Sequence, residues 1–597
     1  MRAMIDRSEK LWFSGVALIT FLYVVARAIL VPFVHDEAAT FNVYVPFGEF
    51  LPWRSHWDAG NHFLNTALGI VGYKLFGMEQ LALRGGNVLS FGLYALMVFR
   101  LGGHVRDRAV RWCLWLGLLL CPFLLEFFAL FRGYGLEMAF FAWGLYALLC
   151  FVRDGRTGQL VQVLAALCFA NACILALLPF WAIVLGLLAL LIISDSNGVA
   201  HKARSFVVWL LLGVVPLVFA ARLAMEMQRQ GLLYYGSPDG FISVTLSTLC
   251  RFVLGADSTA VLGSVVVLFV AITIVALRKA FVDRAWRSPL LLVVVLLWCE
   301  AIARIAMASI LGVNFPEDRA ALHLVPLFII SVALCTDVLA VKRGSLRYAA
   351  FILLVLPLRT VVTTNTDHTV LWPEHSPPRR YVDRLLALQS AQDRPLVIGC
   401  YHSMHYSLPF AARVRGQQLP LPQTAGFPEG PHDVRIAEDA QLQQALSGFH
   451  EVDADASTGL HLLERNTPLP ARLVSTHPFS REKTDEEFIE VLRLDSLGGS
   501  DDLLVELGAV LSTTEPATIN LVVEIRDARD KAIYYDAVCV TAFSPLTDHL
   551  REVRRIPSVP GGQHAVVYFW NVRRTVISMG NGSARLMRST SNSASDP

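Results

Sequence analysis

Three short polar segments stand beside long apolar stretches, and their side chains are of the types that move protons and hold phosphates. The first is His35-Asp36-Glu37. Two adjacent carboxylates at the end of an apolar helix share a low dielectric and repel each other, which makes the pair a candidate general base. The alternative is that Asp36 only caps the amino end of a short helix, because Asp is a good capping residue.

The second and third segments carry arginines. Arg132 and Tyr134 stand in Phe131-Arg132-Gly133-Tyr134-Gly135, and Glu317, Asp318 and Arg319 follow one another in one loop. A planar guanidinium can donate two hydrogen bonds to phosphate oxygens. The alternatives are an Arg132 that extends to lipid headgroups and a salt bridge within the third loop. Together the three segments predict proton transfer beside a bound phosphate.

The composition indicates that membrane helices position these segments. Hydrophobic residues are 54% of the chain, charged residues are 17%, and the mean hydropathy is +0.50. Soluble domains carry about 25% charged residues, so an ordinary soluble enzyme is excluded. Lys and Arg number 51 against 49 Asp and Glu, a net charge of +2. That balance offers no global field for nucleic acid, and none is expected as a partner.

A helix needs about 20 largely apolar residues to cross a bilayer, and eleven apolar stretches are near that length. They lie near 12–34, 81–102, 111–128, 135–152, 160–176, 178–194, 205–224, 251–277, 289–311, 320–340 and 346–363. The uncharged run 160–193 is read as two helices turning near 177–179. Basic residues concentrate in one set of alternate loops, which predicts a cytoplasmic amino terminus. An odd number of crossings then puts the carboxyl-terminal region in the periplasm of a bacterial inner-membrane protein, and all three polar segments on that outer face.

The domain prediction has four parts. Residues 1–363 form the transmembrane domain and 364–475 a small periplasmic α/β module. Residues 476–590 alternate as strands do and predict a periplasmic β-sandwich of the jelly-roll type. Residues 591–597 are predicted to be a disordered tail.

Cysteines and histidines of the soluble region raise two smaller questions. Cys400 and Cys539 are the only cysteines outside the apolar stretches and could pair in an oxidising compartment. His402 and His405 are spaced as a metal pair could be on a helix, but no carboxylate is near them in sequence. Exposed polar residues are therefore the prediction for both histidines.

The acidic pair after the first helix is followed by Asn61-His62-Phe63-Leu64-Asn65-Thr66, Lys74-Leu75-Phe76-Gly77 and Leu83-Arg84-Gly85-Gly86-Asn87. Together with the loops of Arg132 and Asp318-Arg319, these segments resemble the GT-C glycosyltransferases. The resemblance covers about residues 10–350 and is most specific in the first hundred. Relatives in that family include protein O-mannosyltransferases, lipid A aminoarabinose transferases and rhizobial galacturonosyltransferases. The chain departs from the mannosyl and aminoarabinose groups at residues 60–63, where a His-Pro-Pro type segment is expected. Substrates of those groups are therefore not carried over.

The resemblance implies an integral-membrane enzyme that moves a sugar from a polyprenyl-phosphate donor to an acceptor hydroxyl, with inversion. The acceptor could be lipid A, core oligosaccharide, polysaccharide or protein. The roles it implies are: Asp36 as the base with Glu37 as second choice, Arg132, Tyr134 and Arg319 on the donor phosphate, and His35, Asp58, Asn61, His62, Glu317 and Asp318 around the substrates. No metal or other cofactor is implied, although His35 beside Asp36 could serve a divalent cation.

A transporter or flippase of lipid-linked sugars is the alternative function. It would also need a groove for the prenyl chain and arginines for the phosphate. Transporters place ionisable groups near the middle of the bilayer. Arg222, Glu300 and Arg304 lie within or at the ends of apolar stretches and keep this alternative open.

Overall fold

The computed structural model describes residues 5–194, 198–497, 502–542, 546 and 549–589. The predicted tail, 591–597, lies outside the described residues. The chain forms two compact units. The first unit contains Met1–Leu30 and Glu49–Thr366, and the second contains Val31–Gly48 and Asp367–Pro597. The short segment Val31–Gly48, which holds the acidic pair, therefore belongs to the same unit as the carboxyl-terminal region.

The first unit is helical. Within the described residues, nine helices are long and apolar enough to cross a membrane, or ten if a bent pair counts as one span. The nine are Arg7–Leu30, Gln80–Gly102, Tyr134–Asp154, Leu175–Ile193, Val199–Arg229, Thr259–Val282, Pro289–Leu311, Leu324–Lys342 and Gly344–Thr363. Shorter apolar helices are Phe63–Phe76, Thr157–Cys173 and Phe241–Leu254. The prediction of a polytopic helical domain is confirmed.

Each of the eleven predicted stretches holds a helix, and the count falls to nine or ten for local reasons. Thr157–Cys173 has 17 residues, short of a full crossing. The uncharged run breaks at Ile174, where the backbone is extended, and Pro179 stands in the first turn of the next helix. The stretch near 111–128 is the bent pair Arg108–Leu119 and Pro122–Phe128, with a bend of 48°. Pro122 has no N–H to continue the hydrogen-bond ladder of the preceding helix.

The second unit contains a small α/β sheet. Its strands are β1 (Ile398–Cys400), β2 (Val434–Glu438), β3 (Phe449–Asp455) and β4 (Leu460–Arg465). Their order is β1-β2-β4-β3, with β1 and β2 parallel. Two parallel strands need a crossover, and the helix Ser407–Val414 lies between them in sequence. This helix and Arg379–Ser390 share one apolar core with the sheet.

The rest of the second unit is a jelly roll. Its strands are β5 (Ala471–Thr484), β6 (Phe488–Leu494), β7 (Leu503–Thr513), β8 (Ile519–Arg526), β9 (Ala532–Cys539), β10 (His549–Ile556), β11 (His564–Asn571) and β12 (Ile577–Ser589). Two antiparallel sheets, β10-β7-β12-β5 and β6-β11-β8-β9, enclose one core that includes Ile489, Leu507 and Val567. Successive strands from β5 to β8 alternate between the sheets, as a jelly roll requires. The predicted fold of this region is confirmed.

Candidate functional site in the helical unit

The segment around Arg132 is packed so closely that two of its positions require glycine. A Cβ on Gly133 would lie 2.8 Å from the Cys173 carbonyl oxygen, and a Cβ on Gly135 would lie 2.7 Å from the Phe127 carbonyl oxygen. Neither position can carry a larger residue without moving backbone. Arg132 and Tyr134 are therefore held inside the helical unit, with only 8% and 6% of their surfaces exposed. An Arg132 extended to lipid headgroups does not fit this burial.

The loop before the helix Phe63–Phe76 packs against the same segment. His62 is buried, its Nδ1 lies 2.8 Å from the Cys173 carbonyl oxygen, and its ring meets that of Tyr134 edge-on at 5.1 Å. Asn61 is also buried, but its amide donates to Phe50 and Ser55 and its oxygen accepts from Thr66. The structure therefore places His62 beside Tyr134, whereas Asn61 holds its own loop together.

The loop of Glu317, Asp318 and Arg319 is fixed by bonds to a distant part of the chain. The Tyr235 hydroxyl donates to the Asp318 carboxylate at 2.6 Å, and the Asp318 N–H donates to Thr248 Oγ1 at 2.9 Å. Asp318 has a φ of 38°, a left-handed conformation that costs about 1–3 kcal/mol for a residue other than glycine. Such strain persists because these bonds hold the loop.

The two arginine segments, far apart in sequence, form one cluster. The Arg319 guanidinium lies over the Tyr235 ring, 5.0 Å from its centroid. Tyr134 lies within the electrostatic field of both Arg132 and Arg319, and it also interacts with Tyr235. Two cationic side chains and the Tyr134 hydroxyl thus surround one region, and Tyr235 holds the Asp318 loop beside it. Phosphate oxygens accept hydrogen bonds from guanidinium and hydroxyl groups, so this cluster can hold a phosphate. We call it the arginine–tyrosine cluster: Arg132, Tyr134, Tyr235 and Arg319.

Asp58 and Glu317, two predicted substrate residues, are not part of the arginine–tyrosine cluster. Asp58 accepts a hydrogen bond from the N–H of Gly60 at 2.7 Å, a turn within its own loop. Glu317 is half-buried at the start of the short helical turn that contains Asp318. Their roles in substrate binding stay predictions.

The acidic pair stands on the helix His35–Tyr44 of the second unit. Phe33, just before this helix, stacks on Phe410 at 4.3 Å, and the His35 ring lies 4.8 Å from that of His402. Glu37 is fully buried and accepts a hydrogen bond from the Val34 N–H at 3.1 Å. Val34, not Asp36, is the capping residue, so the alternative reading of Asp36 as the cap is wrong.

Asp36 and Glu37 therefore differ in what they can reach. Asp36 is half-buried at the first turn of the helix, whereas Glu37 has no exposed surface and is engaged with the backbone. A general base must reach the proton that it abstracts. This favours Asp36 over Glu37 for the role, in the same order as the sequence prediction.

Sequence reasoning missed a second polar cluster in the helical unit. It consists of Glu137, Glu300, Arg304 and His323, all at least nine-tenths buried. Glu300 and Arg304 were noticed only as charges inside an apolar stretch. Their spacing of four residues on one helix was the available signal, because it places them on one face. Glu137 gave little signal, since an acid in the first turn of a helix is ordinary.

The smaller predictions have mixed outcomes. All ten cysteines are described and none is bridged, Cys400 and Cys539 included.

His402 is exposed as predicted, but His405 is only 7% exposed, so that part of the prediction is wrong. His405 follows a turn that directs it into the unit, where its ring stands edge-on to Tyr406 at 4.7 Å. Among the described residues, no group of three or more His, Cys, Asp or Glu is arranged to hold a metal ion.

Fold and site together define a multi-pass membrane protein with a carboxyl-terminal jelly roll and a cluster of arginines and tyrosines in its helical unit. No protein-family model matches the chain, and no curated protein matches it significantly. Among solved structures it is similar to ArnT from Cupriavidus metallidurans in the apo state, at 16% identity and a TM-score of 0.35, covering 76% of this chain and 97% of that one.

Two further solved structures are similar to the chain. ArnT from the same organism bound to undecaprenyl phosphate is 16% identical with a TM-score of 0.35, and the match covers 77% of this chain and 98% of that one. The arabinosyltransferase EmbB from Mycobacterium smegmatis is 11% identical with a TM-score of 0.34, and the match covers 99% of this chain and 65% of that one.

Proposed function

We propose that the protein is a membrane glycosyltransferase of the GT-C type, which transfers a sugar from a polyprenyl-phosphate donor to an acceptor hydroxyl. The observation that carries the proposal is the arginine–tyrosine cluster. When the bond between sugar and phosphate breaks, negative charge develops on the leaving phosphate. Fixed cations and hydroxyl donors in a site with little water stabilise such charge. Arg132 and Arg319 supply the cations, and Tyr134 lies in the field of both.

An apolar groove of about 640 Å³ in the same unit supports a prenyl-bearing donor. It runs along the helices Phe241–Leu254, Thr259–Val282 and Pro289–Leu311, and its lining includes Thr245, Phe269 and Trp298. Thr245 donates a hydrogen bond to the Pro316 carbonyl oxygen at 2.7 Å, so the groove borders the loop of Asp318 and Arg319. A lipid chain in the groove thus has a phosphate-binding loop at its edge.

Asp36 is the proposed base. Its carboxylate takes the proton of the acceptor hydroxyl, and the acceptor oxygen forms a bond to the anomeric carbon of the sugar. The bond from that carbon to the phosphate oxygen breaks, and the polyprenyl phosphate leaves with the electron pair. A single displacement of this kind inverts the anomeric configuration. Glu37 is left with a structural role, because its carboxylate already accepts the Val34 N–H.

The finer parts of the proposal concern place and partners. The protein is assigned to a bacterial inner membrane, with a cytoplasmic amino terminus and the soluble modules in the periplasm. The acceptor is a lipid, glycan or protein hydroxyl on that face. The support for this orientation is the concentration of basic residues in alternate loops.

A flippase for the same lipid is the second candidate. The observation that favours it is the buried cluster of Glu137, Glu300, Arg304 and His323, because ionisable groups inside membrane helices often mark a transport path. A flippase would move the donor across the bilayer and leave the bond between sugar and phosphate intact.

Both functions can be measured in the same proteoliposomes. We would supply undecaprenyl phosphate carrying radiolabelled sugars, and follow transfer to envelope acceptors and movement between leaflets. Transfer is expected, and Arg319→Gln should reduce it by about 10²–10³-fold, as removal of one charge-stabilising donor does elsewhere. The matched control is Arg251→Gln, an exposed arginine of the same unit that pairs with Asp257. Movement without transfer, unaffected by Arg319→Gln, would contradict the proposal and favour the flippase.

A further inference from the structure

The buried cluster of Glu137, Glu300, Arg304 and His323 has no part in the reaction described so far. The exposed fractions of these side chains are 1%, 0%, 8% and 1%. They come from three places in the chain: the helix Tyr134–Asp154, the helix Pro289–Leu311 and the residue that precedes Leu324–Lys342. Ionisable groups are costly inside membrane helices, and they usually mark a functional site.

The cluster has too few hydrogen-bond donors for its carboxyl oxygens. Glu300 Oε1 accepts from Arg304 Nε at 2.8 Å and from His323 Nε2 at 3.1 Å. Glu300 Oε2 is buried and has no hydrogen-bond partner among the described residues, and the same holds for Glu137 Oε2. An unsatisfied buried polar atom costs about 1–3 kcal/mol, and more when the group is charged. Two such oxygens in one cluster therefore point to a group that the protein chain does not supply.

The residues around the cluster connect it to the arginine–tyrosine cluster. Glu137 lies one turn after Tyr134 on the same helix, and its charge acts on the Tyr134 hydroxyl. Arg304 acts electrostatically on Glu137, and its guanidinium donates to the Ala176 carbonyl oxygen at 2.6 Å. The short helix that contains Ala176 follows Cys173, whose carbonyl oxygen contacts His62. The cluster is thus continuous with the arginine–tyrosine cluster.

Phe141 and Phe180 close the cluster on another side. Phe141, one turn beyond Glu137, lies 6.1 Å from the His323 ring, and Phe180 lies 5.7 Å from it. Glu137 and Phe141 stand four residues apart, so they share a face of their helix. The carboxylate therefore faces the region that His323 and Arg304 border, rather than the lipid.

We propose that Glu137 and Glu300 bind the sugar of the lipid-linked donor, through its hydroxyl or ammonium groups, and so determine which sugars are accepted. The proposal rests on the proposed function, because it assumes that a lipid-linked sugar occupies the arginine–tyrosine cluster. The cluster holds two carboxyl groups, but only Arg304 and His323 donate hydrogen bonds within it. A ligand that brings hydrogen-bond donors completes it, whereas a uronic acid would bring a third carboxyl group whose oxygens also need donors. Neutral and amino sugars are therefore accepted and uronic acids are rejected.

Binding of lipids with and without a sugar tests this proposal separately from catalysis. The probes are undecaprenyl phosphate alone and undecaprenyl phosphate carrying a neutral hexose, an amino sugar or a uronic acid. Affinities are measured for the full-length protein in detergent, for Glu137→Gln and for Glu137→Leu. Glu9→Gln is the matched control, because Glu9 is 2% exposed, pairs with Arg111 and stands in the first turn of the helix Arg7–Leu30.

The wild-type protein is expected to bind a neutral or amino sugar lipid at least about tenfold more tightly than the bare lipid, the size of one hydrogen bond to a charged group. Both Glu137 variants should lose that increment and bind the bare lipid within about twofold of wild type, whereas Glu9→Gln keeps it. Unchanged increments in the Glu137 variants, with the bare lipid still bound, would overturn this inference alone. Preference for the uronic acid would do the same. Failure of the wild type to bind the bare lipid would overturn the proposed function as well.

Discussion

Two buried glutamates of the helical unit, Glu126 and Glu137, are used in opposite ways. Both Glu126 oxygens lie 2.9 Å from Arg27 Nη2, and Arg27 also donates to the Asn365 carbonyl oxygen. Glu137 instead keeps one oxygen without a partner among the described residues. Both side chains are equally buried, at 2% and 1% exposure. Burial alone therefore does not distinguish a residue that holds helices together from one that receives a ligand, whereas the use of its oxygens does.

The second unit shows a related contrast, this time in exposure, between Asp36 and Glu37. Glu37 is buried with its carboxylate bonded to backbone, and the neighbouring Asp36 keeps exposed surface. A buried carboxylate that accepts a backbone hydrogen bond stabilises the fold. One that can still be reached by solvent can also be reached by a substrate.

The largest expected difference between Glu126 and Glu137 is in the free energy of unfolding. Glu126→Gln leaves the Arg27 charge buried without its partner, so we expect the free energy of unfolding to fall by about 3–5 kcal/mol. Glu137→Gln removes no bonded partner, so about 1 kcal/mol or less is expected. Unfolding of both variants in detergent, followed by tryptophan fluorescence, measures the difference. Equal destabilisation by the two substitutions would show that the glutamates do not differ in role.

Replacing both Arg27 and Glu126 tests whether the ion pair itself is needed for stability. In Arg27→Met with Glu126→Leu, no charge is left unpaired, and apolar replacement of buried pairs elsewhere is neutral or stabilising by about 1–4 kcal/mol. The double variant should therefore unfold at a temperature close to wild type or above it, well above Glu126→Gln. A double variant as unstable as the single one would mean that the pair itself is required.

A third prediction concerns the loop that holds Arg319. Tyr235→Phe removes the hydroxyl that donates to Asp318 at 2.6 Å, and a hydrogen bond to a charged group contributes about 1.5–3 kcal/mol. Because Asp318 precedes Arg319, we expect binding of undecaprenyl phosphate to weaken by about tenfold or more. Tyr94→Phe is the control, since its buried hydroxyl donates to the Leu118 carbonyl oxygen instead. Equal affinities for Tyr235→Phe and wild type would separate the loop from lipid binding.

The smallest expected effect is a pH dependence of the second unit. Burial, together with the charge of Arg554, lowers the pKa of His405 to about 3, and His402, His35 and Asp536 also act on it. His405 Nδ1 is buried without a partner among the described residues. Above pH 6.5 the ring is neutral in both the folded and the unfolded state. Below that pH the unfolded chain gains a proton that the folded chain refuses, so stability falls as pH drops toward 3.

The slope expected from this one group is about 1.4 kcal/mol per pH unit below 6.5. Melting temperatures of the wild type and of His405→Gln, recorded between pH 7.5 and pH 5, isolate its share. The wild type should lose stability faster than the variant over that range. Parallel curves would mean that His405 is protonated in the folded protein.

The sequence predicts the parts of this molecule that depend on local composition. Apolar runs near 20 residues become helices, and the alternating region 476–590 contains strands such as β6 (Phe488–Leu494). Strand β9 (Ala532–Cys539) is harder to predict, because its apolar and polar residues do not alternate regularly. Strand β12 contains glycines and polar residues that resemble a loop, so it gave no strand signal.

The candidate site is predictable only in part, since its geometry depends on contacts between distant residues. Arg132 and Arg319 were found because a guanidinium in a loop beside an apolar helix suits a phosphate, and Tyr134 because it stands beside Arg132. Tyr235 was not found, because only the fold brings it to Asp318 across 83 positions of the chain. The contact between the segment of Asp36 and Phe410 was not found for the same reason, since only the fold brings these distant residues together.

Transfer by Asp36→Asn and Glu37→Gln tests the central claim most directly. Both variants are assayed in proteoliposomes for transfer of radiolabelled sugar from undecaprenyl-phosphate donors and for binding of the bare lipid. Loss of a general base costs about 10²–10⁴-fold. We predict a loss of that size for Asp36→Asn with lipid binding unchanged, and transfer within about tenfold of wild type for Glu37→Gln, provided that it folds. Undiminished transfer by Asp36→Asn, or lipid binding with no transfer by the wild type, would contradict the account.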